Sequence, residues 1–229
     1  MVRSVEFRLP ELKTGDKWVV EESASDYESA ISTVEIIAAD SLYGYEPSYA
    51  ATLKATIARY ATKRGDSVFN FSQTGLLYMR RSDQESVYDS VEVESDVRFA
   101  GDTGTTHYSL RSITTSVPHG AVPVLFRPGM RWTITYLKTR TSAYSLDGVP
   151  SGSQDTSWTE VREYSTGNAA DVAVKAGVFY AIEINWTRAE TGERSAGWFS
   201  EIARTFVKEQ KTVSGELTGR YELTSLTLK

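Results

Sequence analysis

Pro128-Gly129-Met130-Arg131-Trp132-Thr133-Ile134-Thr135-Tyr136 is the stretch on which the fold turns. Pro and Gly interrupt whatever regular structure precedes them. The Trp then opens an alternation in which Trp132, Ile134 and Tyr136 take one face and Thr133, Thr135 and Leu137 the other. A period of two in β-branched and aromatic residues describes a strand with one apolar face. The same opening stands near the start, at Thr14-Gly15-Asp16-Lys17-Trp18-Val19-Val20, again behind a Pro-containing stretch. The two lie about 114 residues apart, far more than the ~20–50 residues of a solenoid repeat. The chain therefore reads as a single β domain over residues 1–229, made of two related halves at about 1–115 and 118–229. The connector is Thr115-Ser116-Val117-Pro118-His119-Gly120-Ala121-Val122-Pro123.

Outward from these openings the alternation recurs. Val91, Val93 and Val97 alternate with Glu92, Glu94, Asp96 and Arg98, and Tyr180, Ile182, Ile184 and Trp186 with Ala181, Glu183 and Asn185. The polar run Arg188 to Glu193, with Gly192, predicts a hairpin turn into Ala196-Gly197-Trp198-Phe199. Thr205 to Lys208 and Gly219 to Thr224, separated by Ser214-Gly215, complete a meander. Two segments read differently. Residues 49–64 fit a strand by the alternation of Leu53, Ala55 and Ile57 with Thr52, Lys54 and Thr56, and a short helix by their Ala content. Residues 141–157, with Gly148, Pro150, Gly152 and many Ser, read as a mobile loop. The expected architecture is mainly β: a curved antiparallel sheet or half-barrel built from the two halves, with at most one or two short helices.

Composition narrows the function classes. The chain is 40% hydrophobic and 24% charged, which is globular rather than disordered. Its net charge of −5, with basic residues spread along the chain, disfavours nucleic acid and anionic membrane surfaces as partners. The absence of Cys removes disulfides, thiolate nucleophiles and Cys-based metal sites. No run approaches the ~20 apolar residues of a transmembrane helix, and the opening Met1 to Glu6 lacks the apolar core of a signal peptide. The targeting expectation is either a cytoplasmic chain or one whose signal segment has been removed.

From Pro123 to Ser225 the sequence resembles a pattern seen in bacterial exported lipoproteins of unknown function. The carrying residues are Val124-Leu125-Phe126, Gly129-Met130-Arg131-Trp132, Val174-Lys175-Ala176-Gly177-Val178-Phe179, Trp198-Phe199-Ser200, Ala203-Arg204-Thr205-Phe206-Val207-Lys208 and Tyr221-Glu222-Leu223-Thr224-Ser225. In the first half only Gly15-Asp16-Lys17-Trp18 and Gly75-Leu76-Leu77 match. Some of these families look similar to the LolA/LppX lipoprotein-carrier architecture, a half-barrel around an apolar concavity. The resemblance implies a periplasmic or cell-surface location and a lipid-like ligand.

The residues themselves offer little chemistry. His107 and His119 read as exposed loop histidines, and there is no nucleophile elbow, zinc motif or phosphate loop. The series Asp83, Glu85, Asp89, Glu92, Glu94 and Asp96 lacks calcium-loop spacing and reads as a solvated strand face. Asn185-Trp186-Thr187 matches the glycosylation pattern only formally. The expectation is a non-enzymatic protein without catalytic residues, metal or cofactor. Its five Trp and thirteen Tyr supply the binding surface. Trp132, Tyr136, Ile184 and Trp186 are the expected lining of an apolar or lipid-like ligand site, with Trp158 at its mouth. The alternative is an envelope scaffold or assembly protein whose core is filled by its own side chains and whose partner is another protein.

Overall fold

The computed structural model describes residues 6–24, 27–61 and 65–229. The described strands, in chain order, are β1 (Phe7–Arg8), β2 (Lys17–Ala24), β3 (Tyr27–Tyr43), β4 (Glu46–Ala61), β5 (Ser67–Arg80), β6 (Ser86–Arg98), β7 (Thr106–His119), β8 (Leu125–Phe126), β9 (Arg131–Leu146), β10 (Val149–Val174), β11 (Gly177–Arg188), β12 (Arg194–Ser200), β13 (Thr205–Val213) and β14 (Glu216–Thr227). Each long strand pairs antiparallel with the next, and β14 returns to β2, so twelve strands close into one barrel while β1 pairs with β8. Read in order, a short strand followed by a six-strand meander occurs twice.

Mainly β is therefore correct, and the half-barrel is not. The sheet closes because its last strand meets its first, with Tyr221 opposite Glu22, Glu222 opposite Glu21 and Leu223 opposite Val20. Closure pairs the two rows of backbone N–H and C=O that a half-barrel leaves free. Alternation within single strands carries no trace of that seam. No helix occurs among the described residues, and none is therefore long and apolar enough to cross a membrane.

Residues 46–61 are strand β4, so the Ala-rich run follows its period of two; residues 62–64 lie outside the described residues, as does the opening 1–5. Residues 141–157 are not a loop. They are the end of β9 and the start of β10, paired from Thr141 opposite Asp155 to Leu146 opposite Val149. Asp147 and Gly148, with φ of 49° and 77°, supply the consecutive left-handed residues of a tight hairpin turn. Gly152 fits this strand because the Tyr144 ring covers it: a Cβ there would stand 2.5 Å from the ring. The histidines are also strand residues. His107 lies between Glu94 (2.8 Å) and Asp96 (3.1 Å), and His119 ends β7.

Cross-strand partners share a face, so the pairs Trp132–Tyr164, Ile134–Arg162 and Tyr136–Glu160 point the same way, into the barrel. The opposite face carries Thr133, Thr135 and Thr139, and ion pairs such as Lys17–Glu35 and Arg111–Glu92. A barrel of about eight strands is filled by its own side chains, and a wider one has room to spare. Here the end at which β2 and β9 begin is stopped by the first described residues and by the β7–β9 connection. Phe7 and Phe126 face each other across β1–β8 and pack with Ile182, Ile184 and Phe199. Leu12 packs beside Trp18, Val20 and Ile36. Segment 6–13 is tied across this end by Arg8 N–H to Glu201, Leu9 N–H to the Val124 carbonyl, and Gln84 to the Pro10 carbonyl.

Candidate functional site: a cavity inside the barrel

Above this stopper the barrel holds a cavity of 330 Å³. Its wall is contributed by strands of both six-strand runs. Trp18 and Val34 come from β2 and β3, Met79 from β5, Trp132 from β9, Ile184 and Trp186 from β11. Phe199, Phe206 and Tyr221 complete the apolar part. Gly197 makes room for one of these rings, since a Cβ there would stand 2.7 Å from Phe206. Trp132 lies flat on Tyr164, with centroids 5.1 Å apart and planes 3° from parallel, and is flanked by Phe126 at 5.8 Å.

The polar part of the wall is built on β10 and on the β5–β6 connection. Arg162 faces the cavity with its guanidinium 4.7 Å from the Trp186 ring centroid and 5.2 Å from that of Tyr136. Its Nε donates to Glu160, whose side chain is 2% exposed. Lys138 at 3.0 Å and Arg188 at 3.1 Å also meet Glu160, so three cations converge on one carboxylate. Burial opposes ionisation of Glu160, but Arg162, Lys138 and Arg188 outweigh it and hold the carboxyl below the usual range. Burial lowers Lys138, an effect its bond to Glu160 only partly offsets.

Glu85, on the β5–β6 connection with Asp83 and Gln84, lines the same space. Burial pushes its carboxyl up, and the hydrogen bond with Tyr136 and the nearby Arg162 do not compensate. Asp83 is engaged by Arg80 at 2.5 Å. The hydroxyls of Tyr136 and Tyr164 are 2.9 Å apart, and burial with the neighbouring Glu85 raises both. These phenols stay neutral, as hydrogen-bonding groups rather than bases. In the cavity lining the indole N–H of Trp132 is shielded and has no acceptor; the Trp158 indole N–H and the Arg188 Nε, outside the lining, also lack a hydrogen-bond partner.

Of the residues expected from sequence, Trp132, Ile184 and Trp186 line the cavity. Tyr136 and Trp158 also point inward but do not line it. Tyr136 is packed into the polar layer, and Trp158 lies opposite Lys138 with Arg140 over its ring at 5.4 Å. Trp198 faces outward under Lys208, on the face opposite Phe199 and Gly197. Sequence reasoning missed Arg162, Glu160, Glu85 and the second-half Phe199 and Phe206. Glu160 and Arg162 are charged residues on an inward strand face, where alternation leads one to expect apolar side chains; the signal available was their standing in phase with Trp158 and Tyr164. Glu85, read from sequence as part of a solvated strand face, lies instead on the β5–β6 connection and lines the cavity. No histidine lines the cavity, and among the described residues no cluster of His, Cys, Asp and Glu is arranged to hold a metal.

Comparison with family models, with curated proteins and with solved structures finds no match to this chain.

Proposed function

We propose that this protein is a non-enzymatic binding barrel that encloses one compact, largely apolar ligand between Trp18, Trp132, Ile184, Trp186 and Phe199. The observation that carries the reading is the cavity itself. Aromatic side chains from opposite walls of a closed sheet converge on 330 Å³ of space rather than filling it. That volume stands at the lower end of the roughly 300–1,000 Å³ of small-molecule sites. It favours a single-chain or ring-shaped molecule over a two-chain phospholipid, which narrows the lipid-like ligand expected from sequence. Charged pairs on the outward strand faces suit a barrel bathed in water, because a lipid-facing barrel presents an apolar band there. An envelope location belongs to the same proposal and rests on the resemblance over Pro123 to Ser225.

Tryptophan fluorescence during titration tests the reading. Decanoate, a single-chain amphiphile, is expected to change the emission saturably, and phosphatidylcholine vesicles are expected to leave it unchanged. In a folded Trp186→Ala variant the decanoate response should shrink severalfold. A flat titration with decanoate, together with native mass spectrometry showing no co-purified small molecule, contradicts the reading and favours a scaffold that acts through its outer surface.

A further inference from the structure

The two six-strand runs correspond in detail. Asp16 N–H donates to Lys13 and Met130 N–H to Arg127; Gly15 and Asp16 exchange backbone bonds with Ile36, and Gly129 and Met130 with Thr166. On the second strand of each run, the partner residue is followed by a register shift, between Ile36 and Ala38 and between Thr166 and Ala169. Val87 and Val207 are each skipped by the pairing of their strands, and each is preceded by a connection holding a left-handed residue, Gln84 (φ 59°) and Arg204 (φ 56°). Trp18 and Trp132 are therefore counterparts. So are Ala203 and Asp83, which immediately precede those left-handed residues.

The correspondence breaks at the contact made by the two tryptophans. Trp18 donates its indole N–H to the Ala203 carbonyl across the barrel, at 2.7 Å. The equivalent bond, from Trp132 to Asp83, is not made: the Trp132 N–H has no acceptor, and the cavity is lined by both Trp132 and the 83–85 connection. A shielded N–H without an acceptor costs about 1–3 kcal/mol, and the first half shows that this fold can satisfy it internally. Arg162, in the same wall, carries a guanidinium with no acceptor capacity, and two of the lining carboxylates, Asp83 and Glu209, are already engaged by Arg80 and by the Ser195 hydroxyl.

We infer that the ligand carries an acceptor oxygen, a ketone or a carboxylate on an otherwise apolar body, which accepts a hydrogen bond from the Trp132 indole between that ring and the Asp83–Glu85 connection. This rests on the binding reading above and names the polar group it requires. Trp18, whose donor is already engaged, takes only the apolar part.

Three probes of one shape test it by isothermal titration: naphthalene, 2-acetylnaphthalene and 2-naphthoate. At least one oxygenated probe is expected to bind about tenfold tighter than naphthalene, the value of one good hydrogen bond. A larger gain for 2-naphthoate assigns a carboxylate with Arg162 as its counter-charge, and a larger gain for the ketone assigns a neutral carbonyl. In Trp132→Phe the ratio of oxygenated-probe to naphthalene affinity should fall below about twofold, whatever the change in naphthalene affinity itself; in Trp18→Phe that ratio should persist. Equal affinity of all three probes for the unmodified protein overturns the inference and leaves the binding reading standing. So does an advantage that survives in Trp132→Phe. Absence of binding by all three overturns both.

Discussion

Glu160 brings one negative charge to Lys138, Arg162 and Arg188 in a place where water does not reach it. Removing one partner from a buried charged cluster costs more than the cluster contributed, because the remaining charges stay buried without compensation. Glu160→Gln is expected to lose about 3 kcal/mol of unfolding free energy in urea, within the range for broken buried pairs. Because the folded carboxyl is held below its ordinary range, its contribution is present above that range and disappears as pH falls through the depressed folded value. The unmodified protein should lose stability on acidification, and Glu160→Gln should lose less over the same interval. Glu85 works in the opposite sense. Its folded value is raised, so its contribution is present at low pH and lost as pH rises. Glu85→Gln is accordingly expected to match or exceed the unmodified protein at pH 8 in thermal unfolding, and a clear loss there contradicts the assigned direction.

At the scale of strands and turns, small residues mark places where the wall of the barrel is tight. Gly75 on β5 lies so close to β6 that a Cβ would stand 2.6 Å from the Ser90 carbonyl oxygen, a backbone atom that cannot step aside. Gly104 has open space around it and no left-handed φ. Gly75→Ala should cost about 2 kcal/mol and Gly104→Ala less than about 0.5 kcal/mol in chemical denaturation. Equal effects would show that β5 and β6 do not approach each other as described. Most of these elements were legible: Trp132 to Leu137, the turn at Arg188 to Glu193 and the final meander all follow from period-two patterns and Gly-bearing turns. The β9–β10 hairpin was not, because Ser, Gly and Pro outweighed the Asp147-Gly148 turn that fixes it. Gly152 looked like a breaker until the Tyr144 ring was seen to cover it.

For the whole molecule, the echo of Gly-x-basic-Trp stands at the start of the first long strand of each six-strand run, and the cavity lies between the two tryptophans it introduces. What no single strand could disclose is closure, since it depends on β14 meeting β2 and β7 meeting β9. For the same reason the polar layer was invisible: Glu160, Arg162 and Glu85 become one cluster only when β9, β10 and the β5–β6 connection face a common interior. The claim that binds these features together is that a small molecule enters that interior. Indole N–H signals in a ¹H–¹⁵N correlation spectrum report on it directly, because the five tryptophans sample different sides of the wall. On titration with 2-acetylnaphthalene, the Trp132 and Trp186 signals are expected to shift saturably, with one common midpoint, while the outward-facing Trp198 stays in place. Five unmoved signals, or a shift confined to Trp198, would contradict a ligand inside the barrel.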